Sequence, residues 1–488
     1  MPRSKLFVTL FAALLGAAGL WYMWMLTSAK LEWGGASPDQ QQLGTVNDTR
    51  LRAMSQYCTG VVVTAQGTWL VGRLEGDASQ LNPGAEVVNL DTVVYGKPKA
   101  PEPQGFYANL IVREEETSFI SRLNAQGQFE LMAHVSGAAC LVASPDGASI
   151  FLLTGLDRPE NASGDDISQT VVLRSDDQGK RWTWLSKGWF AGADQLAWSL
   201  KPYFHGADEV WAWGRPATAD DFSGEATPGA VPTGVFYSAD RGMSSTPVMA
   251  SESLLVSAEA VQEKHPDITQ WHTDLGEQGD VRTNVLQLDA RHAFIWVSQR
   301  FWARNPDGVG NNLAFNLTTR ARLQREAGEW RVVEVQREDN LFVSRLIQND
   351  SGRIIGLIDE GNRGRDVIAE LDSSALTWRT LSELPSAFAP LASESRVREE
   401  NFWVGQNSLL INTSSRHHPP RWLYWWSDAT ISADGVFYSN DWGQSWKRLA
   451  IDGYLGTVGF QPAQDRVIWG NGNWYDNHDG GLYSYGLH

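Results

Sequence analysis

One short segment of the chain combines arginine with aromatic residues at a density that suits ligand binding. The segment reads SSRHHPPRWLYWW, and its candidate binding residues are Arg416, Arg421, Trp422, Tyr424, Trp425 and Trp426. Arginine and large aromatic side chains dominate binding hot spots, and a guanidinium also stacks on aromatic faces. The segment therefore predicts a surface that binds a protein or a glycan. Packing of its tryptophans inside the fold is the structural alternative.

The histidine and acidic residues do not form a recognisable metal-binding pattern. His417 and His418 are adjacent, and neighbouring side chains on an extended strand point to opposite faces. The Asp- and Asn-rich stretches at 157–166 and 476–480 do not match an EF-hand loop. We expect no metal and no cofactor.

Cys58 and Cys140 are the two cysteines of the chain. Neither belongs to a C-x-x-C motif, which argues against a redox or zinc site. In an oxidising compartment the two could form a disulfide. The alternative is two separate buried thiols, because free cysteine is among the most buried residue types.

Three segments share serine, aspartate, glycine and tryptophan at a fixed spacing. The pattern residues are Ser175, Asp177, Gly179 and Trp182 in the first, Ser238, Asp240 and Gly242 in the second, and Ser439, Asp441, Gly443 and Trp446 in the third. The second and third are each preceded by GVF and a tyrosine. Aspartate caps amides in a turn, and glycine supplies a permissive backbone. The pattern indicates two strands joined by a turn, and hence a structural role.

This pattern resembles the Asp-box of the sialidase-type (BNR-repeat) β-propellers. The resemblance implies a box between the third and fourth strands of a blade, in a family that includes glycosidases, receptors and assembly factors. The family's sialidases place an arginine in an aromatic-Arg-Ile-Pro element. The nearest matches, Asp157-Arg158-Pro159 and Gly214-Arg215-Pro216, lack the aromatic residue and the isoleucine. We therefore name no catalytic residue, and a sialidase-like glycoside hydrolase is the alternative function.

Weaker hairpins of the same form divide the rest of the chain. They lie at 122–129, 323–330 and 371–378, with Trp330 and Trp378 at the position of the box tryptophan. Segmentation on this basis gives blades at 60–136, 139–185, 196–249, 283–336, 340–381, 401–449 and 455–488. We predict an all-β fold, a β-propeller of about seven four-stranded blades, with six to eight possible.

Two further features follow from this segmentation. The last segment ends where a fourth strand is due, so we expect a strand within residues 57–65 to complete the blade and close the ring. Residues 251–282 interrupt the repeat and include an amphipathic stretch. They predict a helical insertion.

The N-terminus predicts a membrane anchor. Residues 6–26 contain no charged residue and are long enough to cross the ~30 Å hydrocarbon layer as a helix. Arg3 and Lys5 precede them, which favours a cytoplasmic N-terminus. Aromatic residues at the far end of the stretch favour a retained anchor. Cleavage after Ala29 is the alternative.

The predicted organisation is a transmembrane signal anchor at 1–27, a polar tether at 28–56 and a propeller at 57–488. The propeller would lie on the periplasmic or extracellular side of the inner (cytoplasmic) membrane. With 40 Lys and Arg against 57 Asp and Glu, a nucleic-acid partner is not expected. We expect a binding protein rather than an enzyme, such as an envelope assembly factor or a toxin-immunity scaffold with a protein or glycan partner.

Overall fold

The computed structural model describes about three fifths of the chain. The described residues are 11–21, 41–43, 45–46, 49–53, 61–64, 66–75, 87–95, 117–123, 129–136, 139–144, 146–156, 169–185, 201–206, 208–213, 234–272, 280–304, 312–349, 351–362, 364–385, 396–417, 431–449, 455–461, 466–471 and 482–487. Within some of these ranges the description covers the backbone and not the side chain.

The described strands form seven sheets, each built around a four-stranded antiparallel blade, and the blades follow one another along the chain. Blade 1 consists of Val61–Thr64, Gly67–Glu75, Thr117–Leu123 and Phe129–Ser136. Blade 2 consists of Ala139–Ala143, Ile150–Leu156, Gln169–Ser175 and Thr183–Trp184. Blade 3 consists of Lys201–His205, Glu209–Trp213, Gly234–Ser238 and Thr246–Ala250. Blade 4 consists of Asp280–Gln287, His292–Ala303, Leu313–Glu326 and Glu329–Asp339. Blade 5 consists of Leu341–Gln348, Ile354–Glu360, Val367–Asp372 and Thr377–Glu383. Blade 6 consists of Arg396–Val404, Leu409–His417, Ile431–Ser439 and Lys447–Arg448. The prediction of an all-β propeller with four-stranded blades is confirmed, and the number of blades is seven.

Blade 7 is built from both ends of the chain. Its first three strands are Leu455–Gln461, Arg466–Asn471 and Leu482–Gly486, and its fourth is Gln41–Leu43. An N-terminal closing strand is therefore confirmed, but its predicted position within 57–65 is wrong. Val61–Thr64 is instead the first strand of blade 1, where Val61 and Val63 pack toward blade 7 and Val62 packs toward blade 2. A fourth strand has one free edge and needs fewer apolar residues, and Leu43 of the closing strand is buried.

Blade 1 carries additional elements. A hairpin of Thr45–Val46 and Thr49–Ala53 extends the sheet by pairing with Gly67–Glu75. The short strand Val88–Asn89 pairs parallel to Phe129–Ser136, and helix Leu90–Tyr95 follows it. Since 41–53 are paired into the propeller, the predicted polar tether at 28–56 is too long at its C-terminal end.

The hydrophobic core is divided among the seven boundaries between adjacent blades. One cluster lies at each boundary, from Trp69 and Leu173 between blades 1 and 2 to Leu43 and Leu70 between blades 7 and 1. Because each inner strand is covered on both faces, it reads as a continuous apolar run rather than an alternating one. The cluster at the boundary of blades 7 and 1 shows that the ring is closed.

Two helical regions lie outside the blades. Residues 251–272, within the predicted insertion, contain a 3-10 turn at Ser251–Leu254 and helix Ala258–Lys264, which Ser257 caps by accepting the N–H of Ala260. Residues 11–21 form a helix at the N-terminus. Among the described residues, the helices do not have the length and apolar character that a membrane span requires.

Candidate functional site

The two faces of the propeller differ in their connections. In an antiparallel four-stranded blade, the first-to-second and third-to-fourth connections share one end, which we call the turn face. The second-to-third and blade-to-blade connections share the other end, which we call the loop face. Two residues join Thr64 to Gly67 and Glu326 to Glu329 on the turn face. On the loop face, 41 residues separate Glu75 from Thr117.

Three turns of the turn face have the same internal hydrogen bonds, and we call them the box turns (175–182, 238–245 and 439–446). In each, the buried serine hydroxyl donates to the aspartate Oδ1, at 3.0, 2.8 and 2.7 Å, and accepts the glycine N–H at 2.8 Å. The same Oδ1 accepts an N–H four residues further on. The predicted serine, aspartate and glycine of each box therefore hydrogen-bond within their own turn.

Hydrogen bonding also sets the charge state of the box aspartates. Donation from the hydroxyl and N–H of Ser445 and from the hydroxyl of Ser439 lowers the pKa of Asp441 to about 2. At Asp240, burial acts to raise the pKa, but hydrogen bonds from Ser244 and Ser238 outweigh it and lower the pKa below its ordinary value. A carboxylate held in this way is a structural cap rather than a proton donor.

The residue before each box glycine reaches the preceding blade. Gln178, Arg241 and Trp442 all have a positive φ, of 59°, 58° and 61°. Gln178 contacts Arg122 and Gln66 of blade 1, where its Nε2 donates to Gln66 Oε1 at 2.8 Å. The Trp442 ring lies 3.7 Å from Arg353 Cζ of blade 5. The left-handed backbone thus turns this side chain outward from its own hairpin and onto the neighbour.

A tyrosine and a glutamate form a pair at the boundary of blades 3 and 4. Tyr237 donates to Glu209, and Arg325 Nη1 lies 2.8 Å from Glu209 Oε1. Gln287 Nε2 donates to the second carboxylate oxygen at 2.8 Å. Burial and the Glu209 carboxylate both raise the pKa of Tyr237, so the phenol keeps its proton.

This pair does not have the arrangement that a sialidase mechanism needs. Glu209 begins a second strand and Tyr237 is near the end of a third strand, so both lie at the turn face and away from the ring's centre. In the part of the chain that the structure describes, one arginine, Arg325, contacts the pair. Its guanidinium also lies 5.0 Å from the Tyr237 ring centroid. The arrangement joins two blades.

On the loop face, a buried arginine joins blades 4 and 5. Arg300 Nη2 lies 3.2 Å from Asp359 Oδ2 and 3.0 Å from Asp366 Oδ1, and Nε donates to Asn316 Oδ1 at 3.0 Å. The guanidinium also packs 4.0 Å from the ring centroid of Phe342. The Gly364 N–H donates to Asp359 Oδ2 at 2.7 Å. These contacts fix the loop-face ends of two blades rigidly together.

We call these contacts of Arg300 the clamp. An aromatic patch, His265, Trp271 and Phe315, lies at the same end of blade 4, where Phe315 precedes Asn316 in the third strand. The Phe315 ring centroid is 4.5 Å from that of His265 and 4.8 Å from that of Trp271. All three side chains are half-buried, so part of each ring remains at the surface.

Backbone hydrogen bonds hold the patch in place. The insertion pairs with the end of a blade 4 strand, where Arg304 N–H donates to Gln270 O at 2.8 Å and His272 N–H to Trp302 O at 2.9 Å. The patch is therefore a rigid, partly apolar surface that could contact a partner.

The segment predicted from sequence to bind a partner lies outside the described residues. Arg421, Trp422, Tyr424, Trp425 and Trp426 all fall there, as does the side chain of Arg416. Two strands flank the segment. The strand Leu409–His417 ends at the loop face, and the strand Ile431–Ser439 begins there.

Cys58 and the Cys140 side chain also fall outside the description, so the disulfide stays a prediction. In the part of the chain that the structure describes, no group of three or more His, Cys, Asp or Glu residues could hold a metal ion.

Sequence reasoning did not identify the clamp or the aromatic patch. Asp359 directly follows the apolar run IIGLI, and a carboxylate at the end of a buried strand signals a buried partner. That partner, Arg300, is 59 residues away in the chain and in another blade. No local pattern connects the two.

No family model matches the chain, and no curated protein matches it. Among solved structures, a prolyl oligopeptidase B from Galerina marginata is 9% identical with a TM-score of 0.43, covering 95% of this chain and 51% of that one. A puromycin hydrolase is 12% identical with a TM-score of 0.40, covering 90% and 52%. An oligogalacturonate lyase is 10% identical with a TM-score of 0.38, covering 92% and 99%. The chain thus spans about half the length of the first two of these proteins.

Proposed function

We propose that this propeller is a membrane-anchored, extracytoplasmic binding protein whose loop face takes a protein or glycan partner. The observation that carries the proposal is the aromatic patch of His265, Trp271 and Phe315, held on the face that also bears the longest connections. Rigid, half-exposed aromatic rings supply contact area at low conformational cost. An envelope assembly factor or a toxin-immunity scaffold would use the loop face in this way.

The clamp at the same end of blade 4 supports a binding role. Arg300, Asp359 and Asp366 satisfy one another and leave the loop-face ends of blades 4 and 5 in fixed positions. A preorganised surface loses less entropy when a partner binds. The sequence of the neighbouring blade 6 connection, with Arg421, Trp422 and Trp425, would extend the same face with further arginine and aromatic side chains.

The anchor is assigned to residues 6–26 on the basis of the sequence. Phe11, Leu14 and Leu20 in the helix at 11–21 are between 57% and 74% exposed. Exposed apolar side chains in this number need a covering environment, which a bilayer would supply. Arg3 and Lys5 at the start of the chain would keep the N-terminus cytoplasmic and the propeller on the opposite side. The box turns support the assignment of this protein to the Asp-box propellers.

A crosslinking pull-down tests the binding role. The full-length protein is crosslinked in its native envelope, and the retained proteins are identified by mass spectrometry. We expect one stoichiometric partner, whose capture falls at least about tenfold in Trp271→Ala and Phe315→Ala. Val335→Ala is the matched control, because Val335 is 52% exposed on the outer strand of blade 4. Equal capture by all variants would contradict the assignment of the site.

The alternative, a sialidase-like glycoside hydrolase, makes a different prediction. It requires release of sugar from sialosides or related glycans by the purified protein. Hydrolysis of such a glycan by the purified protein would support the hydrolase. Its absence across a glycan screen, together with a captured partner, would support the binding protein.

A further inference from the structure

The first strands of the blades surround the central channel of the propeller. Neighbouring first strands contact each other, and Asn284 Nδ2 of blade 4 donates to Val343 O of blade 5 at 3.0 Å. In the same way, Gly459 of blade 7 lies against Val61 of blade 1. First strands run from the loop face to the turn face, so the first residues of each strand lie at the loop-face mouth of the channel.

In blade 1, the strand Thr49–Ala53 continues this inner edge at the loop face. Gly72 of the second strand pairs with Ala53 on one side and with Phe119 of the third strand on the other. The first strand, Val61–Thr64, pairs with the preceding part of the same second strand. Thr49–Ala53 therefore takes the inner position of blade 1 where the first strand does not reach. It also begins at the loop face, because it pairs antiparallel with a strand that ends there.

Lysine and arginine are concentrated at the beginning of these inner strands. Within the first four residues of each strand, six are Lys or Arg and two, Asp280 and Glu399, are acidic. The remaining positions carry one Arg and one Glu. The six residues, which we call the basic ring, are Arg50, Arg52, Lys201, Arg282, Arg396 and Arg398. The whole chain has a net charge of −17, so its composition does not account for this concentration.

Two members of the basic ring are directly opposite another arginine. Arg396 pairs with Arg416 of the second strand of blade 6, and Arg52 pairs with Arg73 of the second strand of blade 1. Like charges that are directly opposite each other destabilise a sheet. An anion between two guanidinium groups removes this repulsion and accepts charge-assisted hydrogen bonds from both. The register of these strands therefore suits a bound anion.

Two other members are beside or opposite an acidic residue of this chain. Arg282 Nη2 is 3.6 Å from Asp280 Oδ1, and Arg50 pairs with Glu75. The Arg282 side chain is nevertheless 44% exposed, so it can contact a further anion. The described inner strands thus carry an excess of positive charge at the loop face.

We propose that the loop-face mouth of the central channel binds an acidic polypeptide segment of the partner, whose carboxylates contact the basic ring. This inference rests on the proposed loop-face partner and names its chemistry. Arginine clusters recognise acidic motifs through charge-assisted hydrogen bonds. The basic ring is distributed over blades 1, 3, 4 and 6, so a segment with several carboxylates fits it better than a single carboxylate.

The aromatic patch favours a polypeptide over an acidic polysaccharide. The half-exposed rings of His265, Trp271 and Phe315 lie on the same face as the basic ring. Aromatic side chains at a binding surface gain most from apolar contacts. A polypeptide supplies apolar side chains and carboxylates in one chain, whereas an acidic polysaccharide supplies mainly hydroxyl and carboxylate groups.

Binding of a labelled oligoglutamate peptide to the full-length protein tests the basic ring. Fluorescence anisotropy should give a Kd that rises at least about tenfold in Arg396→Gln/Arg398→Gln, because charge-assisted hydrogen bonds are lost. The matched control is Arg331→Gln/Arg337→Gln, which removes the same charge from two exposed arginines on the outer strand of blade 4. The control should change the Kd by less than about twofold, because salt screens distant surface charges.

Three results would overturn the proposal. The first is equal weakening in the two double variants, or no binding of the peptide by the wild-type protein. The second is a lower Tm for Arg396→Gln/Arg398→Gln, since removal of an Arg–Arg repulsion should leave the Tm equal to or above that of the wild type. The third is a labelled oligouronate that binds more tightly than the peptide and depends on the same arginines, which would assign the basic ring to a glycan.

Crosslinked capture of the partner in the native envelope separates this inference from the proposed function. Capture that falls in both Trp271→Ala and Arg396→Gln/Arg398→Gln supports both. Capture that falls in Trp271→Ala but is unchanged in Arg396→Gln/Arg398→Gln contradicts the basic ring alone. Capture that is unchanged in both variants contradicts the proposed function as well.

Discussion

The serine of each box turn carries a disproportionate share of that turn's hydrogen bonds. Ser439 is 2% exposed, and its hydroxyl donates to Asp441 Oδ1 while accepting the N–H groups of Gly443 and Asp441. Without this hydroxyl, the buried Gly443 N–H has lost its acceptor. A buried donor without a partner costs about 1–3 kcal/mol.

Ser439→Ala should therefore lower the free energy of unfolding by about 1–3 kcal/mol. Urea unfolding followed by tryptophan fluorescence measures this change. Gln444→Ala, an exposed side chain in the same turn, is the control and should change stability by less than about 0.5 kcal/mol. Equal effects of the two substitutions would refute the role given to the serine.

Asp441 should make stability depend on pH in the acid range. Its pKa is lowered from 3.8 to about 2 in the folded protein by hydrogen bonds from Ser445 and Ser439. Because the folded pKa is the lower one, the charged form stabilises the fold fully above about pH 4 to 5. That contribution is lost as the pH falls toward 2.

The Tm difference between the wild-type protein and Asp441→Asn should accordingly stay constant above about pH 5 and narrow between about pH 4 and 2. Calorimetry across this range gives the measurement. Asn440→Ala, an uncharged neighbour, should show a difference that does not vary with pH. A difference for Asp441→Asn that widens on acidification would mean that the carboxylate is not stabilised in the native turn.

Between elements, the left-handed residue of each box turn contacts the preceding blade. Trp442 stacks on Arg353 of blade 5, while Arg353 also pairs with Glu370, Nε to Oε1, at 2.6 Å. Arg379 contacts the same Glu370 and is much more exposed than Arg353. The two arginines thus share a carboxylate but differ in their relation to the tryptophan ring.

A double-mutant cycle between Arg353→Gln and Trp442→Asn should give a coupling energy of about 0.5–2 kcal/mol. Asparagine is chosen because it tolerates a positive φ better than most residues. The control cycle pairs Arg379→Gln with Trp442→Asn and should give a coupling below about 0.5 kcal/mol. Similar couplings in both cycles would show that stacking is not the source of the contact.

The elements that the sequence reveals are those with local causes. The box turns place serine, aspartate and glycine within five residues, so each turn and its two strands are readable from one stretch of chain. Trp330 and Trp378 extend the same reading to hairpins without a full box. Contacts between blades have no such local cause in the sequence. Arg300 and Asp359 belong to separate repeats, and nothing near either residue specifies the other.

At the scale of the whole molecule, ring closure depends on the pairing of Gln41–Leu43 with Leu482–Gly486. The sequence correctly indicates that one strand is missing at the C-terminal end. It favours the wrong segment because VVVT is a better strand sequence than QQL. The position in the ring decides which segment becomes the closing strand. A strand near the centre needs apolar residues on both faces, and an edge strand does not.

Two truncations test the closing strand. Removal of residues 1–43 should lower the free energy of unfolding by about 2–5 kcal/mol, because buried Leu43 and the strand hydrogen bonds are lost. Removal of residues 1–39 keeps the strand and is the matched control, with a change below about 0.5 kcal/mol. Hydrogen exchange should accelerate at Leu482–Gly486 in the protein that lacks residues 1–43, but not in the protein that lacks residues 1–39. Equal stability of the two proteins would contradict closure by this strand.

The binding claim applies to one face of the whole molecule, so the most direct measurement compares the two faces. A photo-crosslinking amino acid is placed at Thr269 or Glu360 on the loop face, and at Met243 or Asn440 on the turn face, in the full-length protein in its native envelope. The proposed function predicts that the loop-face positions crosslink to one common partner at least about tenfold more strongly than the turn-face positions. Equal yields from both faces, or crosslinks confined to the turn face, would contradict it.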